Sequence, residues 1–254
     1  MNLKLLTYNV LDGGIGRESQ ITEVLKQAWP DIAILEEVYE ARFVEELGRV
    51  LEMEPFFGEG NRQRHVALLS RLPITSRQSH HPYPPIWRNV IEVVIEYQPG
   101  KRLRFFGVHT MASLMVFYEW WRWREAKTIL GFSQPHMAEP CIIAGDFNAL
   151  APRDAYDFKA MPKWEQLVLI LQGGRIYRAS IRAYLKAGFS DSYRLLNPNA
   201  RGFTYPAPKP YERLDYILVN AALKPSLREC NVLLAPEQVH SASDHYPVMA
   251  TLEL

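Results

Sequence analysis

The stretch from residue 140 to 150, Pro-Cys-Ile-Ile-Ala-Gly-Asp-Phe-Asn-Ala-Leu, constrains this chain more than any other. Its first part, Cys141 to Ala144, is apolar without alternation, the pattern of a strand buried on both faces. The run breaks at Gly145 and presents Asp146 and Asn148. Alternate residues of an extended chain point the same way, so both polar side chains can face one cleft. A carboxylate and an amide at the open end of a buried strand suit a hard divalent cation, or a phosphate held through one. The competing reading is a strand that ends in a turn, with Asp146 and Asn148 bonded to local backbone.

Similar short apolar runs recur along the chain. Strands are expected over 3–10, 32–35, 66–69, 203–205, 214–219, 226–234 and 247–252, with a hairpin over 88–109 turning at Pro99-Gly100. Helices are expected from Ser19 to just before Pro30, and over 41–51, 114–132, 163–172 and 179–188. Residues after Ile74 are polar and lead into the Pro-rich segment 81–85, which reads as loop. Strands and helices are interspersed, and hairpins alternate with crossovers. The pattern predicts an α/β layered domain with mixed sheets, one domain over residues 1–254.

The chain has 254 residues, enough for a substantial core, and 22% of them are charged, as in an ordinary globule. Its formal net charge of +1 lacks the positive excess common in nucleic-acid binders. Two cysteines, Cys141 and Cys230, cannot build a disulfide framework or a zinc site by themselves. The N-terminal apolar run is too short for a signal-peptide core, and no run approaches membrane-spanning length. A cytoplasmic protein is expected.

The polar candidates share a position. Asn9, Glu37, His109, Asp146 and Asn148 each stand at or just past the C-terminal end of an apolar strand, as Asp191 does less clearly, and Asp244-His245 precedes the last strand. Ligand sites of layered α/β folds gather at such an edge. Taken in order, Thr7-Tyr8-Asn9, Asp31 to Glu37, Leu68 to Ile74, Val108-His109-Thr110, Gly145-Asp146-Phe147-Asn148, Arg213-Leu214-Asp215-Tyr216-Ile217 and Ser243 to Val248 resemble the motifs of the endonuclease/exonuclease/phosphatase superfamily, which includes exonuclease III and deoxyribonuclease I. The resemblance spans almost the whole chain. It implies a four-layer α/β/β/α sandwich, two mixed β-sheets flanked by helices. It also implies hydrolysis of a phosphoester by water, assisted by Mg²⁺ or Mn²⁺. One departure is visible: Glu36 stands where the family commonly has Gln. The extra carboxylate either strengthens metal binding or faces solvent.

The resemblance assigns Glu37, Asn9 and Asp244 to the metal, with Asp12 as an alternative ligand near Asn9. It sets Asp146 beside the attacking water, Asn148 and His109 on the phosphate, and Asp215 behind His245, where a carboxylate fixes the tautomer and raises the ring pKa. Arg88 is a candidate phosphate fork. Each has a structural alternative: Glu37 as a helix-start acid, Arg88 as a solvated surface cation, a histidine as a packed core ring.

Substrate choice lies in the loops. The helix after His109 carries Phe117, Tyr118, Trp120, Trp121 and Trp123, which point around most of its circumference and cannot all enter one core stripe. They are either packed in the core or exposed as a substrate wall, a lipid-contacting surface or a dimer contact. Tyr83, Trp87 and Tyr205 are candidates for the cleft rim, and Arg201, Lys209 and Arg213 are too sparse for duplex binding. A small or lipid-like phosphoester is therefore preferred. The alternatives are a DNA-repair-type endo- or exonuclease and a non-catalytic binding module on the same fold.

Overall fold

The longest apolar runs of the sequence become the inner strands of two sheets. In the computed structural model, which describes residues 1–254, the elements in order are β1 (Asn2–Asn9), α1 (Glu18–Ala28), β2 (Ile32–Val38), α2 (Ala41–Leu51), β3 (Glu54–Gly58), β4 (His65–Ser70), β5 (Ile74–His80), β6 (Val90–Gln98), β7 (Lys101–His109), α3 (Val116–Ser133), β8 (Cys141–Asp146), α4 (Lys163–Leu171), α5 (Ala179–Lys186), β9 (Ser190–Asp191), α6 (Ser192–Leu196), β10 (Asp215–Val219), β11 (Leu227–Val232), α7 (Val239–Ala242) and β12 (Val248–Glu253). The first sheet runs β11-β12-β1-β2-β4-β3 and the second β5-β6-β7-β8-β10-β9. Both are mixed: β1 is parallel to β2 and antiparallel to β12, and β8 is parallel to β7 and antiparallel to β10.

The two-residue period of the strands sorts their side chains into separate cores. Leu3, Leu5, Ile32 and Ile34 of the first sheet meet Ile91, Phe105, Ile142 and Ala144 of the second. The intervening Leu6, Tyr8, Ala33 and Leu35 pack outward on Ile21, Leu25, Val44 and Val239 of α1, α2 and α7. Phe106, Ile143 and Leu218 pack outward on Ala126, Ile129, Ile181 and Tyr184 of α3 and α5. Helix, sheet, sheet, helix is the four-layer sandwich expected.

Three strands, β3, β5 and the two-residue β9, differ from the reading of the sequence, and all are sheet edges. β3 contains Pro55, tolerated where one side of the strand pairs with nothing. β5 is largely exposed and carries no apolar alternation to announce it. Conversely, the strand expected at 203–205 is a single bridge, Tyr205 to Glu212.

Helix α3 inverts the usual arrangement in its first turns. Glu119, Arg122 and Glu125 are buried, while Val116, Phe117, Trp120 and Trp123 are exposed. The buried charges are all engaged. Glu119 accepts from the Ser180 backbone N–H at 2.8 Å and from Arg122 Nε at 2.9 Å. Arg122 Nη1 donates to the carbonyls of Met111 and Ser113 at 2.9 and 2.7 Å. Glu125 accepts from the backbone N–H groups of Trp87 and Met111 at 3.0 and 2.9 Å. The helix thus uses its polar face to hold three loops and leaves part of its aromatic face to solvent. The core alternative fails for Phe117, Trp120 and Trp123, whereas Tyr118 and Trp121 are half-buried. No helix is long and apolar enough to cross a membrane.

Candidate active site

Asp146 ends β8 with a neighbour on each side fixed by register: His109 across the parallel pair to β7, and Asp215 across the antiparallel pair to β10. The glycine before it is obligatory. Gly145 has φ +147°, and an added Cβ would lie 1.9 Å from the Val108 carbonyl oxygen. Buried Phe147 anchors the following turn between Tyr184 and Tyr216, at ring separations of 5.3 and 5.5 Å. Asn148 then turns back with φ +45°, its backbone N–H on Asp146 Oδ1 at 2.8 Å and its amide Nδ2 on Oδ2 at 3.1 Å. The turn and the cleft readings of this stretch both hold, because the local bonds aim the carboxylate.

The first sheet supplies the opposite wall. A register shift after Leu35, with Glu37 at φ +61°, lets two consecutive acids at the end of β2 take different surroundings. Glu36 is fully buried, with one oxygen receiving the Thr7 hydroxyl at 2.6 Å and the other without a partner. Burial pushes its carboxyl well up, so it keeps its proton. It neither faces solvent nor reaches the cleft, correcting both expectations for it. A protonated carboxyl offers a donor as well as an acceptor, as an amide side chain does. Glu37 is the acid that lines the cleft, where it receives the Asp12 N–H at 3.0 Å, Asn9 Nδ2 at 3.4 Å and Arg64 Nη1 at 3.2 Å.

Asn9 stands at the end of β1 between the two sheets' carboxylates. Its Oδ1 accepts the Leu11 N–H at 2.9 Å, and its Nδ2 donates to Asp146 Oδ2 at 3.0 Å. That amide oxygen has a second lone pair for a cation, so Asn9 can serve the metal while its Nδ2 orients the carboxylates. Asp12 is held by Tyr39 and Arg64 at 2.7 and 2.5 Å.

His245 and Asp215 meet as a dyad, Nδ1 to Oδ2 at 2.9 Å, with the far ring nitrogen 3.8 Å from Asp146 Oδ2. Ser243 fixes the approach: its hydroxyl donates to the Asn9 carbonyl at 2.6 Å and accepts the His245 N–H at 3.1 Å. Burial opposes a charge on the ring, but Asp215 and then Asp146 outweigh it and hold the imidazole protonated well above its ordinary range. Burial in turn pushes Asp146 up, against the pull of His245.

His109 lies behind this group. Its Nε2 is 3.5 Å from Asp146 Oδ2 and 3.7 Å from Glu37 Oε1, and neither ring nitrogen has a hydrogen-bond partner. Burial, aided by Arg88, keeps it neutral. Arg88 is buried as well and is no solvated surface residue. Its Nη1 donates to the Thr110 carbonyl at 2.7 Å, which places it under the floor of the cleft and not among its lining residues. Asp191 is also elsewhere. With Asp154 it clamps the buried guanidinium of Arg213, at 2.5 Å to Asp191 Oδ2 and 3.0 Å to Asp154 Oδ2. This pairing explains the arginine before Leu214 and Asp215 as a structural anchor.

Glu37, Asp146, Asn148, Asp244 and His245 line one cleft of about 400 Å³. Two places in it gather acidic ligands. Asp146, Asp215 and His245 offer ligand atoms within 4.8 Å of one another, but the imidazolium already supplies the positive charge there. Glu37 and Asp244 line the same cleft, where Asp244 Oδ1 is buried without a partner. An oxygen-only pair with an orphaned atom fits a hard cation that keeps some of its waters.

Several lining residues carried no signal in the sequence. Arg64 follows a polar segment, and Trp164, Glu165, Tyr177 and Glu212 come from irregular or helical segments with no motif. Tyr205 reaches the rim as expected and packs 4.8 Å from the His245 ring, whereas Tyr83 and Trp87 cluster with Trp121 outside this cleft.

Comparison with known proteins agrees with this geometry. The endonuclease/exonuclease/phosphatase family matches residues 6–245, and the chain belongs to that family, a family of phosphoester hydrolases. No curated protein sequence matches the chain. Among solved structures, a 3′ phosphatase from Neisseria bound to a product DNA hairpin is 21% identical, with a TM-score of 0.74 over 99% of this chain and 100% of that one. An AP endonuclease from Archaeoglobus fulgidus is 19% identical, with a TM-score of 0.80 over 99% and 100%. TDP2 from D. rerio, complexed with a single-strand DNA product, is 16% identical, with a TM-score of 0.71 over 100% and 99%.

Proposed function

We propose that the protein hydrolyses a small or lipid-like phosphoester with water, assisted by Mg²⁺ or Mn²⁺. The observation that carries this reading is the line Asp215–His245–Asp146 meeting Glu37 and Asp244 at one cleft. Glu37 and Asp244 would hold the cation, which neutralises phosphate oxygens and the developing charge on the leaving oxygen. His245 presents Nε2–H to a phosphate oxygen, and Asp215 keeps that proton in place. Asp146 orients the attacking water and takes its proton. Asn9 and Asn148 donate to the Asp146 carboxylate and leave it one direction in which to act.

The lining favours a small or amphiphilic substrate over a long polyanion. Its acids are Glu37, Glu119, Asp146, Glu165, Glu212 and Asp244, against two arginines, of which Arg122 is bonded to Glu119. Val116 and Trp164 line the cleft, Gln172 Oε1 receives the Val116 N–H at 2.5 Å, and Phe117 and Trp120 of α3 and Leu167, Ile170 and Leu171 of α4 are exposed. An apolar surface next to a phosphoester site suits a substrate with hydrocarbon to bury.

A DNA-repair-type nuclease is the second reading. A neighbouring groove of about 730 Å³ carries Lys127, Arg175, Arg178, Arg182 and Lys186 and shares Ile176 and Tyr177 with the cleft, an arrangement able to follow a phosphate backbone. Turnover of bis-p-nitrophenyl phosphate and a short-chain phospholipid, measured with Mg²⁺ beside nicking of abasic and plain DNA, separates the two. Absence of turnover with every divalent cation tried would leave the non-catalytic binding module.

A further inference from the structure

Helices α3, α4 and α5 show no acid to solvent. Glu119 and Glu125 of α3 and Glu165 of α4 are buried, Glu165 on the Tyr211 hydroxyl at 2.8 Å, and α5 carries no acid at all. The cations of this region stay outside. Lys127, Arg175, Arg178, Arg182 and Lys186 line the groove between α3 and α5, with no carboxylate among them. In a chain of net charge +1 that is a local excess. Apolar side chains accompany it at helical spacing. Val116, Trp120, Trp123 and Lys127 recur at intervals of three and four, so one stripe of α3 passes from apolar to cationic toward its C-terminus. Arg124 lies 5.0 Å from the Trp120 ring and Lys127 5.8 Å from the Trp123 ring. Trp164, Leu167 and Leu171 form a second stripe on α4, with Leu171 at 77% exposure. The groove and the cleft meet at Ile176 and Tyr177, which line both.

Three occupants compete for such a face. A nucleic-acid backbone would use the cations but would gain little from the aliphatic Leu167, Ile170 and Leu171. A second copy of the chain, meeting the first face to face, would set like charges against each other. An anionic lipid surface uses both parts. Apolar tips enter between headgroups, while the long stems of Lys and Arg keep their charges at the level of the phosphates. We propose that the exposed stripes of α3 and α4 and the basic groove beside α5 form a docking face for an anionic lipid surface. The inference goes beyond the phosphoester reading. It concerns where the protein rests, and it stands whichever ester the cleft hydrolyses. Docked this way, Val116, Trp164, Ile176 and Tyr177 bring the mouth of the cleft to the edge of the lipid surface.

Cosedimentation of the full chain with vesicles tests the face without reference to turnover. Vesicles of phosphatidylcholine containing phosphatidylserine bind the protein about tenfold more strongly than vesicles of phosphatidylcholine alone, and added salt weakens the difference. Tryptophan emission moves to the blue on binding. Arg182→Glu combined with Lys186→Glu removes most of the preference for the anionic vesicles. Trp120→Ser combined with Leu171→Ser lowers binding to them by about tenfold. All four positions are exposed, and native near-ultraviolet circular dichroism confirms that each double variant keeps its fold. Equal binding to both kinds of vesicle, binding to neither, or wild-type binding by the serine variant overturns the docking face. So does tight binding of a single-stranded oligonucleotide without vesicle binding, which gives the groove to a phosphate backbone. A dimer in sedimentation velocity that the serine variant dissolves gives the apolar stripes to a second copy and overturns it as well. Failure of the phosphoester reading shows instead as absent turnover with vesicle binding intact.

Discussion

Asp215 acts through His245: its 2.9 Å bond to Nδ1 sets the tautomer and the charge of the ring. His245→Ala is expected to lower kcat by roughly 10²–10⁴-fold, the usual contribution of a positioned proton donor. Asp215→Asn should give a comparable loss and should also bring the imidazole titration down, followed by NMR. Both variants need only retain a native circular dichroism spectrum for the comparison to stand. Glu36 makes a different prediction. Its folded carboxyl lies well above the ordinary 4.5, so its contribution to stability is full below that value and is lost as pH rises toward the folded pKa. The slope from one such group is about 1.4 kcal/mol per pH unit. Glu36→Gln cannot ionise and should flatten that part of the dependence, raising the denaturation midpoint at pH 8 more than at pH 4. The same midpoint change at both pH values would mean that Glu36 is charged in the fold.

The end of β8 is the least tolerant element. Gly145→Ala sets a methyl group against the Val108 carbonyl at a backbone angle that L-residues avoid. A loss of about 3 kcal/mol or more is expected in urea unfolding, with turnover falling alongside because Asp146 follows directly. In α3 the expectation runs against hydrophobicity. Trp120→Ser, on the exposed face, should change stability by less than about 0.5 kcal/mol. Glu125→Ala, which frees two buried N–H groups, should cost about 2 kcal/mol or more. Such contrasts mark where the sequence was readable. The inner strands announced themselves because burial on both faces demands an unbroken apolar run. β3 and β5 did not, because an edge strand needs only half of its surroundings. The order of buried and exposed faces in α3 was hidden too, since it depends on Trp87, Met111 and Ser180, which arrive from elsewhere in the chain. In the site, strand ends identified Glu37, Asp146 and His245 as cleft residues. The place of Arg88 depended on which partner its guanidinium reached, and spacing carries no record of that.

Across the whole molecule, carboxylates from both sheets face one another over the cleft, and a cation between them should relieve their repulsion. Mg²⁺ is therefore expected to raise the thermal midpoint in a concentration-dependent way, with about 2.7 kcal/mol of added stability at a hundredfold excess over Kd, and chelation should abolish turnover. Glu37→Gln should weaken both effects together. The topology has one further consequence. β12 is inserted between β1 and β11, and the loop just before it delivers Asp244 and His245. During synthesis, Glu37, His109 and Asp146 leave the ribosome long before these two residues. Until β12 slots in beside the earliest strand, a growing polypeptide lacks the two residues to which the proposed reaction assigns a proton and half of the cation site, and it is expected to stay chemically silent.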